Sequence, residues 1–507
     1  LAQVHVADLC VYLHDEALDS ITCYAAEDCR QETPFMEIEE FRAHAHELVD
    51  WMADYMTGVE ALPVRAQVKP GEITAKLPLG PPTAPEPMDA IMADFKQDIL
   101  PGMTHWQHPR FFAYFPANSS PPSVLAEMLT ATLGAQGMLW QTSPAATEME
   151  TRVTDWLRQM IGLPEGFHGV IQDSASSAIL CAILTARERA TGWQANEAGL
   201  AAGPEIVVYT SDQTHSATEK GAKIAGLGRQ NVRLIKTDPE TFAMDPAAFE
   251  AAVLSDKAAG RIPACLVANL GATGVGAMDD LAALGAIAKR HNIFAHVDAA
   301  WAGAALILDE YRHLMAGIEY FDSFVFNPHK WLLTNFDCSA HFVRDPDDLV
   351  RTLAILPVFL KSREHGAVID YRDWSVPLGR RFRALKLWFV IRSYGVEGLQ
   401  RILRNHIQMA AELEARIAAS TEFSLMAPRV LSLINFRYAP DGIAAPEALD
   451  ALNERLLNAV NDDGFTYLTQ NRVHGRYVIR FQIGHTSTEQ KHVTESWDRI
   501  EAIAATL

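Results

Sequence analysis

The pentapeptide Asn327-Pro328-His329-Lys330-Trp331 sets a lysine just after the short apolar run Phe324-Val325-Phe326. An ammonium there must leave water, and a polar group that does so without a partner costs roughly 2–7 kcal/mol. An amine whose pKa is lowered in this way can form a Schiff base with an aldehyde cofactor. A lysine that caps the strand and points to solvent is the other reading of the same residues. Asp298 poses a similar question, because it follows a second apolar run, Ile293-Phe294-Ala295-His296-Val297. A carboxylate at a buried strand end needs a cation. It is either the cap of the next helix or the partner of a pyridinium nitrogen, which keeps a pyridoxal phosphate (PLP) ring protonated and able to accept electrons. Lys330 lies 32 residues after Asp298, about one crossover unit, so both can reach one crevice.

Two more groups fit such a cofactor. Asp173-Ser174-Ala175-Ser176-Ser177 stands between the strand-like Gly169-Val170-Ile171-Gln172 and a helix expected over Ala178–Ala190. Small hydroxyl residues opening a helix expose backbone N–H groups, which bind phosphate; any capped helix has the same look. Thr214-His215-Ser216 follows the strand near Val208-Tyr209. His215 could stack on a planar ring, or be a hydrogen-bonded structural histidine.

The elements that must position these groups alternate from about 121 to 385. Strands are expected at Glu205–Thr210, Cys265–Asn269, Ile293–Val297 and Ser323–Phe326, with a helix at Asp279–His291 among those between them. The pattern predicts an α/β domain with a largely parallel sheet, which binds ligands beyond the carboxyl ends of its strands. Residues 386–507 switch to longer helices with strands at Arg429–Arg437 and Tyr477–Gln482, a smaller α+β domain. Residues 36–60 read as an amphipathic helix and 61–87 as proline-rich and irregular, so 36–120 is expected to pack on a second subunit. Residues 1–35 form an acidic extension with Arg30 its only Lys or Arg; Met36 is a plausible start, and no function is assigned to the extension.

A chain of 507 residues exceeds one core. Its net charge of −20 argues against nucleic acid and anionic membranes. Six cysteines without CxxC spacing fit a reduced, cytoplasmic setting, and no apolar run is long enough to span a bilayer. No metal site is expected: His44 and His46 point apart on a helix. Gly271-Ala272-Thr273-Gly274-Val275-Gly276 lies mid-domain, ahead of a late helix start, which disfavours a dinucleotide fingerprint.

From about Met36 to Leu507 the chain resembles the group II PLP decarboxylases of the aromatic-L-amino-acid decarboxylase family. The resemblance rests on Pro101-Gly102-Met103-Thr104-His105-Trp106, Phe112-Ala113-Tyr114-Phe115-Pro116, His296-Val297-Asp298-Ala299-Ala300, the lysine pentapeptide, Asn335-Phe336-Asp337-Cys338-Ser339 and Pro377-Leu378-Gly379-Arg380-Arg381-Phe382-Arg383. It implies PLP fold type I, an aspartate-aminotransferase-like large domain, and a homodimer with sites at the subunit interface. It implies that Lys330 holds the cofactor and Asp298 pairs with its ring nitrogen. His215 stacks on the ring and orients the substrate carboxylate. Ala175, Ser176 and Asn327 bind phosphate, Thr273 and Ala300 lie near the cofactor, and His329 flanks the lysine. Trp106, Pro116, Ala117 and Gly379 are the expected substrate-side residues.

One position departs from the family pattern. The family's proton donor is a tyrosine on a loop from the neighbouring subunit; the loop here is Leu356–Lys361, with Phe359 at that position. Phenylalanine has no proton to give. In plant relatives this exchange marks aromatic acetaldehyde synthases, which consume dioxygen and release aldehyde, carbon dioxide, ammonia and hydrogen peroxide. A shifted loop, His329 or water would instead supply the proton and give the amine. Ala117, where catechol-accepting relatives carry a hydroxyl residue, and Gly379, where plant tyrosine-type enzymes carry serine, imply a site that discriminates less against phenylalanine or tryptophan. An aminotransferase or a catalytically silent homologue shares much of this pattern; the intact Lys330, Asp298 and His215 argue against the silent one.

Overall fold

The computed structural model describes residues 36–201, 203–355, 366–443 and 445–507. The chain divides into two compact units, Leu1–Tyr55 and Met56–Leu507. Most of the helix Ile38–Gly58 belongs to the first unit; it buries none of its residues and leaves Ile38, Phe41, Leu48 and Val49 exposed.

The second unit carries eleven strands among its described residues. They are β1 (His168–Gln172), β2 (Ile206–Ser211), β3 (Val232–Ile235), β4 (Ile262–Asn269), β5 (Phe294–Asp298), β6 (Ser323–Phe326), β7 (Ser339–Val343), β8 (Phe423–Leu425), β9 (Leu433–Tyr438), β10 (Thr469–Val473) and β11 (Arg476–Gln482). The first seven form one mixed sheet in the order β1-β7-β6-β5-β4-β2-β3, in which only β7 runs against the rest. The apolar runs follow from burial on both faces. In β2, Val207 and Tyr209 enter one core cluster, whereas Ile206 and Val208 enter another with Ile179, Ala182 and Ile183 of the helix Ala175–Ala190. Full burial of each large aliphatic stabilises by about 1.5–3 kcal/mol.

The last four strands form an antiparallel sheet, order β10-β11-β9-β8. Ile434, Phe436, Ile479 and Phe481 pack there against Leu456, Val460, Val493 and Trp497 of the helices Pro446–Asp463 and Gln490–Ala504. The helix Arg383–Ala418 contributes to both cores. It is interrupted at Gly395, whose φ of 66° and ψ of 166° are strained for any side chain.

Two boundaries differ from expectation for local reasons. The strand expected from Arg429 begins at Leu433, because Val430 and Leu433 close a tight turn around Leu431 (φ 51°). The helix expected from Asp279 begins at Leu281 with Asp280 as its cap, accepting from the Ala283 N–H at 3.0 Å. Asp279 is taken by Asn269, whose N–H donates to it at 2.7 Å. Among the described residues no helix is long and apolar enough to cross a membrane, and Cys181, Cys265 and Cys338 are buried free thiols.

Candidate active site

The carboxyl ends of β4, β5 and β6 meet in register, Asn269 opposite Asp298 and Asp298 opposite Val325. Past those ends, Ala299 N–H donates to Val325 O at 2.9 Å and Asn327 N–H to Ala300 O at 2.8 Å, so Asp298, Ala300 and Asn327 stand side by side. The Ala300 N–H also donates to Asp298 Oδ1 at 3.1 Å. Asp298 and Asn327 are buried, and Asn327 Oδ1 accepts from Ser339 Oγ at 2.5 Å.

The helix Ala175–Ala190 points its amino end at this row. Ser174 caps it, accepting from the Ser177 N–H at 3.3 Å. The N–H groups of Ala175 and Ser176 belong to the first turn, which has no carbonyl partners of its own. Ala175 and Ala178 pack on Val325 and Ala300, whereas Ser176 is exposed. First-turn donors beside Asp298 and Asn327 therefore suit a phosphate at one end and a ring cation at the other.

Lys330 lies in the one-turn helix Pro328–Trp331. Burial pushes its pKa down, Arg480 adds to the shift, and Asp298 opposes it. Its Nζ sits 5.2 Å from the centroid of the Phe115 ring. Trp301 stacks on the same ring at 4.8 Å, and the Arg480 guanidinium lies 5.0 Å from it. Arg480 is buried on neutral acceptors: Gly274 O at 3.1 Å, Thr469 Oγ1 at 3.2 Å and Tyr114 O at 3.4 Å. Burial lowers its pKa to about 10.

Both flanking histidines have fixed tautomers. His215 Nδ1 accepts from the Ala217 N–H at 3.1 Å, which leaves the proton on Nε2. His215 is exposed, yet partial desolvation of its ring lowers its pKa; Asp298 opposes the shift and Lys330 adds to it. His329 Nδ1 accepts from the Cys338 N–H at 2.9 Å, so its proton also sits on Nε2. Burial and the Lys330 charge hold it down to about 3, so it is neutral.

Thr273 is half-buried in the loop after β4, which the Leu270–Met278 bridge closes. Gly271 (φ 87°) is required there, since a Cβ would lie 2.6 Å from Trp301 Nε1. Of the substrate-side residues, Pro116 is buried, Ala117 is half-buried with its O accepting from Gln107 Nε2 at 2.7 Å, and Trp106 stacks on Tyr114 at 5.8 Å. All three lie on or beside the segment that carries Phe115. Gly379 stands elsewhere, exposed beside Gln136. Phe359 lies outside the described residues.

Sequence reasoning passed over Phe115 as a site residue, and Arg480 and Asn118 altogether. Arg480 did leave a signal, a charged residue inside the apolar run Tyr477–Gln482.

The pyridoxal-dependent decarboxylase conserved domain matches residues 70–439. A phenylacetaldehyde synthase of Arabidopsis thaliana is 45% identical over 93% of this chain and 97% of its own length. Tyrosine decarboxylase 2 of Narcissus pseudonarcissus is 43% identical, covering 91% and 93%. Among solved structures, an Oryza sativa TDC with PLP and tryptamine superposes with a TM-score of 0.90 at 37% identity, over 94% of this chain and 99% of that one. With the lysine, carboxylate and helix end gathered past one sheet edge, these likenesses make the chain a PLP-dependent enzyme of fold type I, belonging to the group II decarboxylases in the aromatic-L-amino-acid decarboxylase family.

Proposed function

We propose that the protein decarboxylates aromatic L-amino acids and releases the aryl-acetaldehyde, using dioxygen as co-substrate. The observation that carries the chemistry is Lys330, half-buried past the carboxyl end of β6 with its Nζ 5.2 Å from the centroid of the Phe115 ring and its ammonium disfavoured by desolvation. PLP bound there would accept the electron pair left when the carboxylate departs from Cα.

The chain's own residues do the rest. Lys330, its ammonium disfavoured by burial, would give up its proton more readily than a surface lysine and so be available to hold the cofactor aldehyde. Asp298, a buried carboxylate, would pair with the ring nitrogen and keep a proton on it. The first-turn N–H groups of Ala175 and Ser176, with Asn327, would hold the phosphate. His215, with its proton on Nε2, would cover the cofactor ring and orient the substrate carboxylate, and Thr273 and Ala300 would complete the cofactor's surroundings. Trp106, Pro116 and Ala117 line the aromatic side.

The product turns on who reprotonates Cα. Phe359 cannot, and His329 is an uncharged imidazole with its pKa held down at about 3, hence a weak acid at neutral pH. Slow protonation gives dioxygen its opening: amino acid, dioxygen and water become aldehyde, carbon dioxide, ammonia and hydrogen peroxide. The second reading is simple decarboxylation to the arylalkylamine, with the His329 Nε2–H relaying a proton from water; the Narcissus relative's name favours it.

A homodimer would complete the site. Leu125, Met128, Leu129 and Leu133 leave an exposed apolar face on the helix Pro121–Leu133, and Phe336 and Leu378 are also exposed. A second copy of the chain on that face would cover these side chains. A cytoplasmic location suits the reduced thiols.

The test is product analysis with phenylalanine, tyrosine, tryptophan and dopa in air. Aldehyde and peroxide in equal amounts are expected; quantitative amine without peroxide refutes the oxidative reading. Phe359→Tyr should move product from aldehyde toward amine, by roughly 10²–10⁴-fold if general-acid catalysis has its usual weight.

A further inference from the structure

We propose that Asn118 is a positioning residue for Lys330, tying the lysine turn to the second sheet. The inference rests on Lys330 being the cofactor lysine. The helix Pro328–Trp331 is one turn long, so its final carbonyls lack partners within it. Asn118 provides two from a distant segment. Its main-chain N–H donates to His329 O at 2.9 Å, and its Nδ2 donates to Lys330 O at 2.5 Å.

The rest of the Asn118 side chain faces the other way. Nδ2 also donates to Gly484 O at 2.8 Å, and Oδ1 accepts from Thr486 N–H at 2.8 Å and Thr486 Oγ1 at 2.9 Å. Gly484 and Thr486 follow β11, the strand that carries Arg480. Asn118 is fully buried; both amide hydrogens are used, Oδ1 accepts from the Thr486 N–H, and the single Thr486 hydroxyl hydrogen lies between Asn118 Oδ1 and Ser119 O, the latter at 2.8 Å. Aspartate has no hydrogens to give, serine has one, and glutamine is a methylene too long for the same four contacts. Space is also closed: a Cβ on Gly484 would lie 3.0 Å from Pro116 and 3.4 Å from Trp331.

The carbonyl and the side chain of Lys330 leave the same Cα, so the bond to Lys330 O sets the direction from which Nζ meets the cofactor. A misplacement of about 1 Å at a reacting group can cost on the order of 100-fold. A residue that only supported the fold would lower melting temperature and leave the bound cofactor's properties alone.

The experiment uses PLP-loaded enzyme carrying Asn118→Asp, Asn118→Ala or Thr486→Val, the last keeping both Asn118 donors while removing one acceptor contact. Three readouts are taken: PLP release rate, the pH midpoint of the lysine-bound cofactor's absorption, and kcat against KM. For Asn118→Asp we expect release about tenfold faster, a displaced midpoint, and kcat about tenfold lower with KM within twofold, as for loss of one well-made bond. Thr486→Val should shift each readout the same way by less, and serves if the Asn118 variants do not fold. Unchanged release, midpoint and kcat in the variants that fold overturn the proposal, whatever their melting temperatures. Lys330→Ala tests the underlying assignment separately: if it keeps the lysine-bound absorption, that assignment falls.

Discussion

Lys330 and Arg480 lie against the same ring, 5.2 and 5.0 Å from the Phe115 centroid, so the two cations are at most about 10 Å apart. At an effective dielectric of about 20, unit charges at that separation repel by ~1.7 kcal/mol, a little over one pKa unit. The distance is an upper bound, so the repulsion is a lower one. Arg480→Met removes the charge and keeps an apolar body of similar length. Removing a positive neighbour favours the ammonium, so the Lys330 pKa should rise by about one unit or more. Arg480→Lys keeps the charge and should leave it near its present value. The assay is the pH dependence of PLP recapture by cofactor-free protein, since only the uncharged amine reacts. Arg480→Met also strips a donor from Gly274 O, Thr469 Oγ1 and Tyr114 O, so a lower melting temperature accompanies the shift. A midpoint that stays put or falls in Arg480→Met refutes the charge coupling.

Stability should fall steeply in acid. Burial depresses the folded-state pKa of His296, and that of His341, His485 and His406 to about 3, 3 and 4. The unfolded chain therefore binds more protons below about pH 6.5, and each such histidine removes about 1.4 kcal/mol per pH unit from there down to its folded value. Denaturant titrations between pH 7 and 4 measure the slope, and His341→Leu should make it shallower. Arg380→Met should destabilise by about 3–5 kcal/mol, because it strands Glu150, its buried partner, and removes donors to Ser375 Oγ and Ile171 O. Glu150→Gln in the same chain should recover part of that loss in urea melts; no recovery means the pair is not the cause.

Much of this was legible because β4, β5 and β6 are buried on both faces and therefore read as unbroken apolar runs. Lys330 and Asp298 stood out as charges at the ends of such runs, where only a partner offsets the desolvation. Arg480 breaks a run in the same way, but its partners are carbonyls and a hydroxyl from three separate segments, which no local pattern announces. Asn118 gives no local sign either, since an asparagine after Phe-Pro-Ala reads as a turn. From sequence, Asp279–His291 reads as one helical stretch. Only the fold reveals that Asp280 caps while Asp279 turns back to the Asn269 N–H.

The residues that sequence alone passed over have one thing in common: each acts through the stretch Phe111–Ser120. Phe112 stacks on Phe481 at 4.2 Å and its carbonyl accepts from the Gln482 N–H, which fixes the stretch to the second sheet. Phe115 lies against both Lys330 and Arg480, and Asn118 holds the carbonyls of the lysine turn. Ser120 donates to Leu333 O at 2.7 Å and opens the helix Pro121–Leu133, whose apolar face is exposed. The stretch thus runs from the second sheet, past the lysine, to the surface where a second copy is proposed to sit. Rigid, close-packed connections of this kind pass displacement along instead of absorbing it. Separating the proposed dimer by dilution should therefore alter the absorption of cofactor bound at Lys330 before it alters secondary structure. Simultaneous loss of both signals would mean that the stretch carries no such coupling.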